Sequence, residues 1–336
     1  MKGFDRARAR ALVRLPVVRR LLGLAVSVGC VAFLFKGVDS AELLVRLRAI
    51  EPARLLPALI AMGVTLVFKA YRWKFQMTPV RAVSFWRSFR ASTIGYMANN
   101  ALPLRGGDLL RAHLLGVDER LTMTTVLATV ALERFLDGIV LFLFCGGLLL
   151  ASPVPDWLRD GVVGLAAVAM ASGVGVAALR FESDWLARGW ARIARRLPGG
   201  VAALFDRGLR HVVLGLETAH GLRRWSALLA LAVVEWLLWG VTTGFSLHAI
   251  GLYPAPAVVV GTVIATNLAM VLPAAPANLG VFEYAVMATL EFYHVDHNTA
   301  LGAAVVVHAV FVVPGALLGL GLLLARGLGP GRASVA

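Results

Sequence analysis

The stretch "VLPAAPANLGVFEYAV", residues 271–286, lies inside a long apolar segment yet carries two prolines, an asparagine, a glycine and a glutamate. Pro and Gly interrupt helices, and a carboxylate is costly at membrane depth. Such a break is tolerated in a bilayer only where protein or a water-filled cavity covers the freed backbone groups. The segment therefore predicts a helical hairpin from 255 to 294, with a built interior around its tip.

The rest of the chain supports that setting. Of its 336 residues, 59% are hydrophobic and 15% charged, with a mean hydropathy of +0.78. Six apolar runs are long enough to cross as helices: 19–37, 53–70, 121–151, 159–180, 225–250 and 300–325. A second interrupted stretch, 83–116, contains "NNALPLRGGD". The expected fold is an all-α polytopic membrane protein with about six full spans and two broken hairpins, either re-entrant or made of short spans.

Sidedness follows from Lys and Arg, which stay cytoplasmic in short loops. The segment 1–18, the loop after span two with Arg72, Lys74, Arg81, Arg87 and Arg90, the stretch 181–224 and the tail 326–336 are basic and are read as inside. The connections near 151–158, 251–256 and 294–299 lack Lys and Arg and are read as outside. The loop 38–52 is ambiguous. Each membrane half, 19–151 and 152–325, then reads span, span, hairpin, span, with an odd number of crossings. The second half would be inserted upside down, as an inverted repeat with its binding site at the broken helices. Both hairpins carry Asn, Pro, Gly and a carboxylate in that order: Asn99, Pro103, Gly107, Asp108 and Asn267, Pro273, Gly280, Glu283.

A net charge of +14 does not make this a nucleic-acid binder, because the basic residues flank apolar runs instead of forming one soluble surface. Only four of the 33 basic residues are lysine, so the arginines reflect composition as well as function. "DWLARGWARIARRLP", 184–198, separates Leu186, Trp190, Ile193 and Leu197 from Arg188, Arg192 and Arg195; it reads as an interfacial amphipathic helix or a packed connector. Cys30 and Cys145 lie in apolar runs and are expected to be free thiols. "HVDH", 294–297, lacks the repeated spacing of a zinc site, and His308 reads as a packed, hydrogen-bonded residue. No nucleotide-binding or nucleophile motif is found, and no cofactor is expected.

The candidate site residues are polar groups at membrane depth. In the second hairpin Asn278 could cap the following half-helix, Gly280 would permit close approach, and Glu283 would meet a cation or an arginine. In the first, Asn100 and Arg105 flank the break, Asp108 and Arg111 can pair three residues apart, and Arg105 is either a phosphate clamp or a snorkelling side chain. In span three, Thr125, Thr129, Glu133 and Asp137 form one stripe, and Arg134 can pair with Asp137. Glu235 stands alone in "LAVVEWLLWG", with no donor evident from sequence. Each carboxylate is either part of a pathway or a static ion partner.

The motifs "NNALPLRGGDLLRAHLL", "ALERFLDGIVLF" and "LPAAPANLGVFEYAV" together resemble the flippase-like transmembrane family related to the membrane part of lysylphosphatidylglycerol synthase. The resemblance covers nearly the whole chain and departs at Asp108, where that family more often has glutamate. It implies movement of lipids between leaflets of a bacterial inner membrane, with Arg105, Asp108, Arg111, Glu133, Arg134, Asp137 and Glu283 at the motif positions. Some stand-alone relatives are associated with hopanoid synthesis. The expected partners are membrane lipids, with anionic headgroups at the cytoplasmic face; lipid-biosynthesis proteins or a second copy are further candidates. The competing readings are an integral-membrane transferase using Glu133 or Glu283 as base, and a non-catalytic member of a lipid-synthesis complex.

Overall fold

In the computed structural model, the described residues are 50–101, 106–164, 221–270 and 275–327, with Cys30, Ala191, Arg192 and Arg195. Their regular structure is helical throughout. Most of the run 19–37, of 159–180 and of the amphipathic stretch 184–198, together with Arg105, fall outside them.

Among the described residues, four helices are long and apolar enough to cross a membrane. They are α1 (Pro52–Met77), α4 (Met123–Ala151), α5 (Leu222–Ala249) and α8 (His297–Gly327). Between them lie two pairs of shorter helices, α2 (Phe85–Ala101) with α3 (Gly106–Glu119) and α6 (Pro256–Ala269) with α7 (Val281–Phe292). Both pairs match the interrupted stretches of sequence. A 3-10 turn, Pro276–Asn278, occupies the second break.

α1 shows how the sequence builds the bundle. Its outward face is Leu56, Leu59, Ile60, Val64 and Val67, all exposed, while Ala58, Met62, Thr65, Arg72, Trp73 and Gln76 are buried. Polar residues point inward and aliphatic ones outward, as expected where the surroundings are lipid. α1 packs along α5 and also meets α2, α4 and α8. Small residues allow the hairpin helices to touch. A Cβ on Gly107 would collide with the backbone of Gly95 and Asn99, so α2 and α3 meet backbone to backbone there.

The charged ends of the helices are joined at one side. Arg326 near the end of α8 forks onto Asp118 at 2.8 and 2.9 Å, Arg90 of α2 lies 3.5 Å from the same carboxylate, and Arg87 reaches Glu119 at 3.1 Å. Arg224 at the start of α5 donates to the Phe75 carbonyl near the end of α1 at 2.9 Å. At the opposite side the Tyr293 hydroxyl, just after α7, donates to the Pro153 carbonyl at 2.9 Å. The open end of the α2–α3 hairpin is therefore beside the C-terminus of α8, and the α6–α7 hairpin opens at the other side.

Along α8 the contacts run in order. A Cβ on Gly319 would meet Thr93 and Met97; Phe311 O accepts from the Tyr96 hydroxyl at 2.7 Å; His308 touches Ala277. α2 thus runs antiparallel to α8, and its C-terminal end approaches the level of the 3-10 turn, which packs against α2. His308 is eleven residues into α8, roughly 17 Å from that helix's start at 1.5 Å per residue. α2 and the 3-10 turn of the second break therefore meet well inside the bundle.

One part of the sidedness reading is corrected. Arg72 and Lys74 are not in a loop, because α1 continues to Met77 and Arg72 is wholly buried. The apolar run ends before the helix does, since the last two turns bury polar groups against partners from other helices.

Candidate functional site

The inner face of α1 carries Thr65, Lys69, Arg72 and Gln76 at helical spacing, so all four project toward α4 and α5. Lys69 Nζ lies 3.0 Å from Glu133 Oε1 and 3.0 Å from Glu235 Oε1. Arg72 Nη1 donates to Asp137 Oδ1 at 2.7 Å and to Glu235 Oε2 at 2.8 Å. These are the donors that Glu235 lacked in the sequence reading.

From α3, Arg111 forks onto Glu133 at 3.0 and 3.1 Å, and its guanidinium stacks 4.9 Å from the Trp73 ring centroid. Its Nε is also 3.2 Å from Asp108, as an ion pair without hydrogen-bond geometry. Arg134 binds both oxygens of Asp108 at 2.9 and 3.0 Å and is 3.5 Å from Asp137. The expected Arg134–Asp137 pair therefore exists, but Asp108 is the closer partner. Asn99 completes the hairpin tip: its Nδ2 donates to Asp108 Oδ1 and its Oδ1 accepts from the Asp108 amide, each at 3.2 Å.

Lys69, Arg72, Arg111 and Arg134 face Asp108, Glu133, Asp137 and Glu235, so the cluster holds four cations and four carboxylates and sums to zero. That balance is the physical condition for placing eight formal charges at membrane depth, because a stranded one would be far more costly than a paired one. Burial within the cluster is uneven. Arg111 and Glu133 are 1% exposed, whereas Arg134 is 34% exposed. The cluster is closed on the α1 side and open at Arg134.

Gln76, one turn beyond Arg72, is buried with no hydrogen-bond partner for either amide atom among the described residues. Asn100 stands outside the ion cluster, and its amide nitrogen is likewise buried without a described partner. Of the expected stripe on α4, Thr129 accepts from the Trp73 indole at 3.1 Å, while Thr125 bonds with Thr122 at the helix start and does not line the cluster.

The second hairpin forms a separate arrangement. Gly280, with φ of 84°, is the N-cap of α7, and its N–H donates to Glu283 Oε2 at 2.7 Å. Gly relieves the steric penalty of that left-handed conformation. Asn278 does not cap the half-helix: it lies two residues before the N-cap with φ of 56°, and Glu283 does the capping by reaching back. Among the described residues Glu283 meets no arginine. Its Oε1 is 2.6 Å from His308 Nδ1, and His308 Nε2 is 2.9 Å from the Ala277 carbonyl. The His308 ring stacks on Phe282 at 4.5 Å.

Thus Asp108, Arg111, Glu133, Arg134, Asp137 and Glu235 come together, while Gly280 and Glu283 form the other site and Asn278 flanks it. Lys69, Arg72 and His308 complete the two groups. Lys69 and Arg72 were legible as part of a helical stripe with Thr65 and Gln76, had span two been drawn to Met77. A recess of about 540 Å³ lined by Ser152, Pro153, Ala255, Phe292, Tyr293 and His294 is mostly apolar. Ser152 lies fifteen residues beyond Asp137, about 22 Å along α4, so this recess is distinct from the ion cluster.

No curated protein matches the chain. The family model described as the lysylphosphatidylglycerol synthase TM region matches residues 20–319. With a match across nearly its full length, and with the spans and paired short helices just described, the chain belongs to the lysylphosphatidylglycerol synthase TM region family.

Proposed function

We propose that this protein is a lipid translocator of a bacterial inner membrane, moving a polar-headed lipid such as a phospholipid or hopanoid between leaflets without altering it. The observation that carries the reading is the neutral ion cluster, whose most exposed cation is Arg134. An anionic headgroup competes with Asp108 for that guanidinium, whose fork suits phosphate oxygens. The polar interior replaces the hydration that a headgroup loses on leaving water, while the tail stays in lipid. The cluster's other ion pairs hold the surrounding helices in register as partners exchange.

In this reading both hairpins are re-entrant. Their arms of 17, 14, 14 and 12 residues would extend roughly 26, 21, 21 and 18 Å, short of an apolar layer of about 30 Å. The halves are an inverted repeat, the termini are cytoplasmic, and Arg81, Arg87, Arg90 and Arg326 mark the cytoplasmic side. Opposite openings of the hairpins support that scheme.

The test is exchange of labelled lipids between leaflets of liposomes holding purified protein, over a panel of anionic, zwitterionic and neutral headgroups. Wild type should accelerate exchange of at least one class, and Arg134→Ala should slow it by tenfold or more while the protein stays folded. Mass spectrometry of the recovered lipid should show no change in mass. Unchanged exchange across the panel would overturn the proposal, and an altered lipid mass would replace it with a transferase.

A further inference from the structure

We infer that Glu283 and His308 form a proton-binding site that holds the break before α7 shut. The partners of each atom fix where the protons lie. His308 Nε2 faces the Ala277 carbonyl at 2.9 Å, and a carbonyl can only accept, so Nε2 carries a hydrogen. His308 Nδ1 faces Glu283 Oε1 at 2.6 Å, and a bare nitrogen against an ionised carboxylate would place two acceptors in contact. A second proton therefore lies between them, either on the imidazole or on the carboxyl. The other carboxyl oxygen is occupied by the Gly280 N–H at 2.7 Å.

This one proton connects α8 to the turn within the break and to the helix that follows it. Through Nε2 the imidazole grips Ala277 in the 3-10 turn, and through the shared proton it grips the residue that caps α7. Ala277 and Asn278 both have left-handed backbone, with φ of 59° and 56°, so the turn is held in a conformation that non-glycine residues disfavour. Losing the proton would turn the central contact from attraction into repulsion and release that turn. The side chains are nearly enclosed, at 7% and 11% exposure, so the proton does not exchange freely with bulk water while the turn is closed.

Among the described residues the surroundings contain few competitors: on α1 and α5, which also pack against α8, Lys69, Arg72 and Glu235 are paired in the ion cluster and His248 packs against Phe245 and Tyr253. α6 and the 3-10 turn have no titratable side chain; α2 offers Tyr96, whose hydroxyl is bound to Phe311 O; α7 itself adds Tyr284 and the distant Glu291. Cys30 packs against the apolar cluster that includes Val281 and Ala285 of α7. Within α8 the other charged or titratable groups, His297 and Arg326, are at its ends.

The sign follows from proton counts. The closed pair holds the proton. Once opened to water, a carboxyl ionises near pH 4.3 and an imidazole loses its proton near pH 6.5, so above about pH 6.5 opening releases one proton. Opening should then be favoured about tenfold for each unit of rising pH, and should be independent of pH between about 4.5 and 6.5. A proton gradient would thereby bias which state the second hairpin occupies. Only that last step rests on the translocator reading.

Hydrogen–deuterium exchange of full-length protein in lipid nanodiscs tests the site, followed over residues 275–284 from pH 5 to 9. Each rate is divided by the intrinsic rate of the same amides at that pH, so the chemistry of exchange itself cancels. Wild-type protection should be flat in the acidic part of the range and then fall by about tenfold per unit. In Glu283→Gln the amide can accept from Gly280 and donate to Nδ1 without a titrating proton, so protection should stay flat throughout. A flat wild-type profile, or an equal slope in Glu283→Gln, would overturn the inference. Wild type alone decides the matter should the variant misfold. If protection falls as stated while no lipid moves in liposomes, the translocator reading fails and the proton site stands.

Discussion

Removing Lys69 and Glu235 singly and together tests whether charge balance holds the cluster in place. At 3.0 Å, with an effective dielectric constant of about 20, their gross attraction is about 5.5 kcal/mol, before desolvation is subtracted. Lys69→Met leaves three cations against four carboxylates, and Glu235→Gln leaves four against three. Each strands one unit of buried charge, for which the expected loss is about 3–5 kcal/mol. The double variant restores balance at three against three. Glu133 keeps the fork from Arg111, and Arg72 keeps Asp137. Its loss should therefore fall short of the sum of the singles by about 1–3 kcal/mol. Reversible unfolding in mixed micelles, or equilibrium unfolding of single molecules under force in a bilayer, measures all four corners of the cycle. Additivity within about 0.5 kcal/mol would refute the claim that neutrality governs this interior.

The same geometry makes further predictions. Arg111→Lys should destabilise by about 1–3 kcal/mol in the same unfolding assay, because a single ammonium cannot reproduce both bonds to Glu133 or the stack on Trp73. Gly107→Ala should split the α2–α3 hairpin and yield little monodisperse protein on size exclusion, since its Cβ would overlap the Gly95 and Asn99 backbone. Gly240→Ala, whose Cβ would meet nothing within 4 Å, should be tolerated and serves as the matched control. Arg72→Leu should be as damaging as a core lesion, whereas Arg87→Leu at the exposed end of α2 should change stability by less than about 1 kcal/mol.

Much of this molecule was legible in its sequence, because hydrophobic length and helix-breaking residues act locally. The runs 53–70, 121–151, 225–250 and 300–325 became α1, α4, α5 and α8, each a residue or several longer or shorter at its ends. The stretches around "NNALPLRGGD" and "LPAAPANLG" became paired short helices because Pro and Gly exclude a continuous helix there. Glu133, Arg134 and Asp137 stood out as candidates because their charge lay within an apolar helix, and the structure brings them into one ion cluster. What the sequence could not supply was partnership. Glu235 meets Lys69 and Arg72 across separations of 166 and 163 residues, and no local pattern encodes which donor faces a lone carboxylate. Arg72 looked like a loop residue because a charge-based boundary stops where hydropathy falls. Only the packing of α1 against α4 and α5 supplied the carboxylates that let its helix continue inward. Likewise Glu283 was expected to meet a cation or an arginine, and only tertiary structure shows that His308 is the side chain that faces it. Side-chain identity sets what a group needs, whereas the rotation and depth of neighbouring helices decide who provides it.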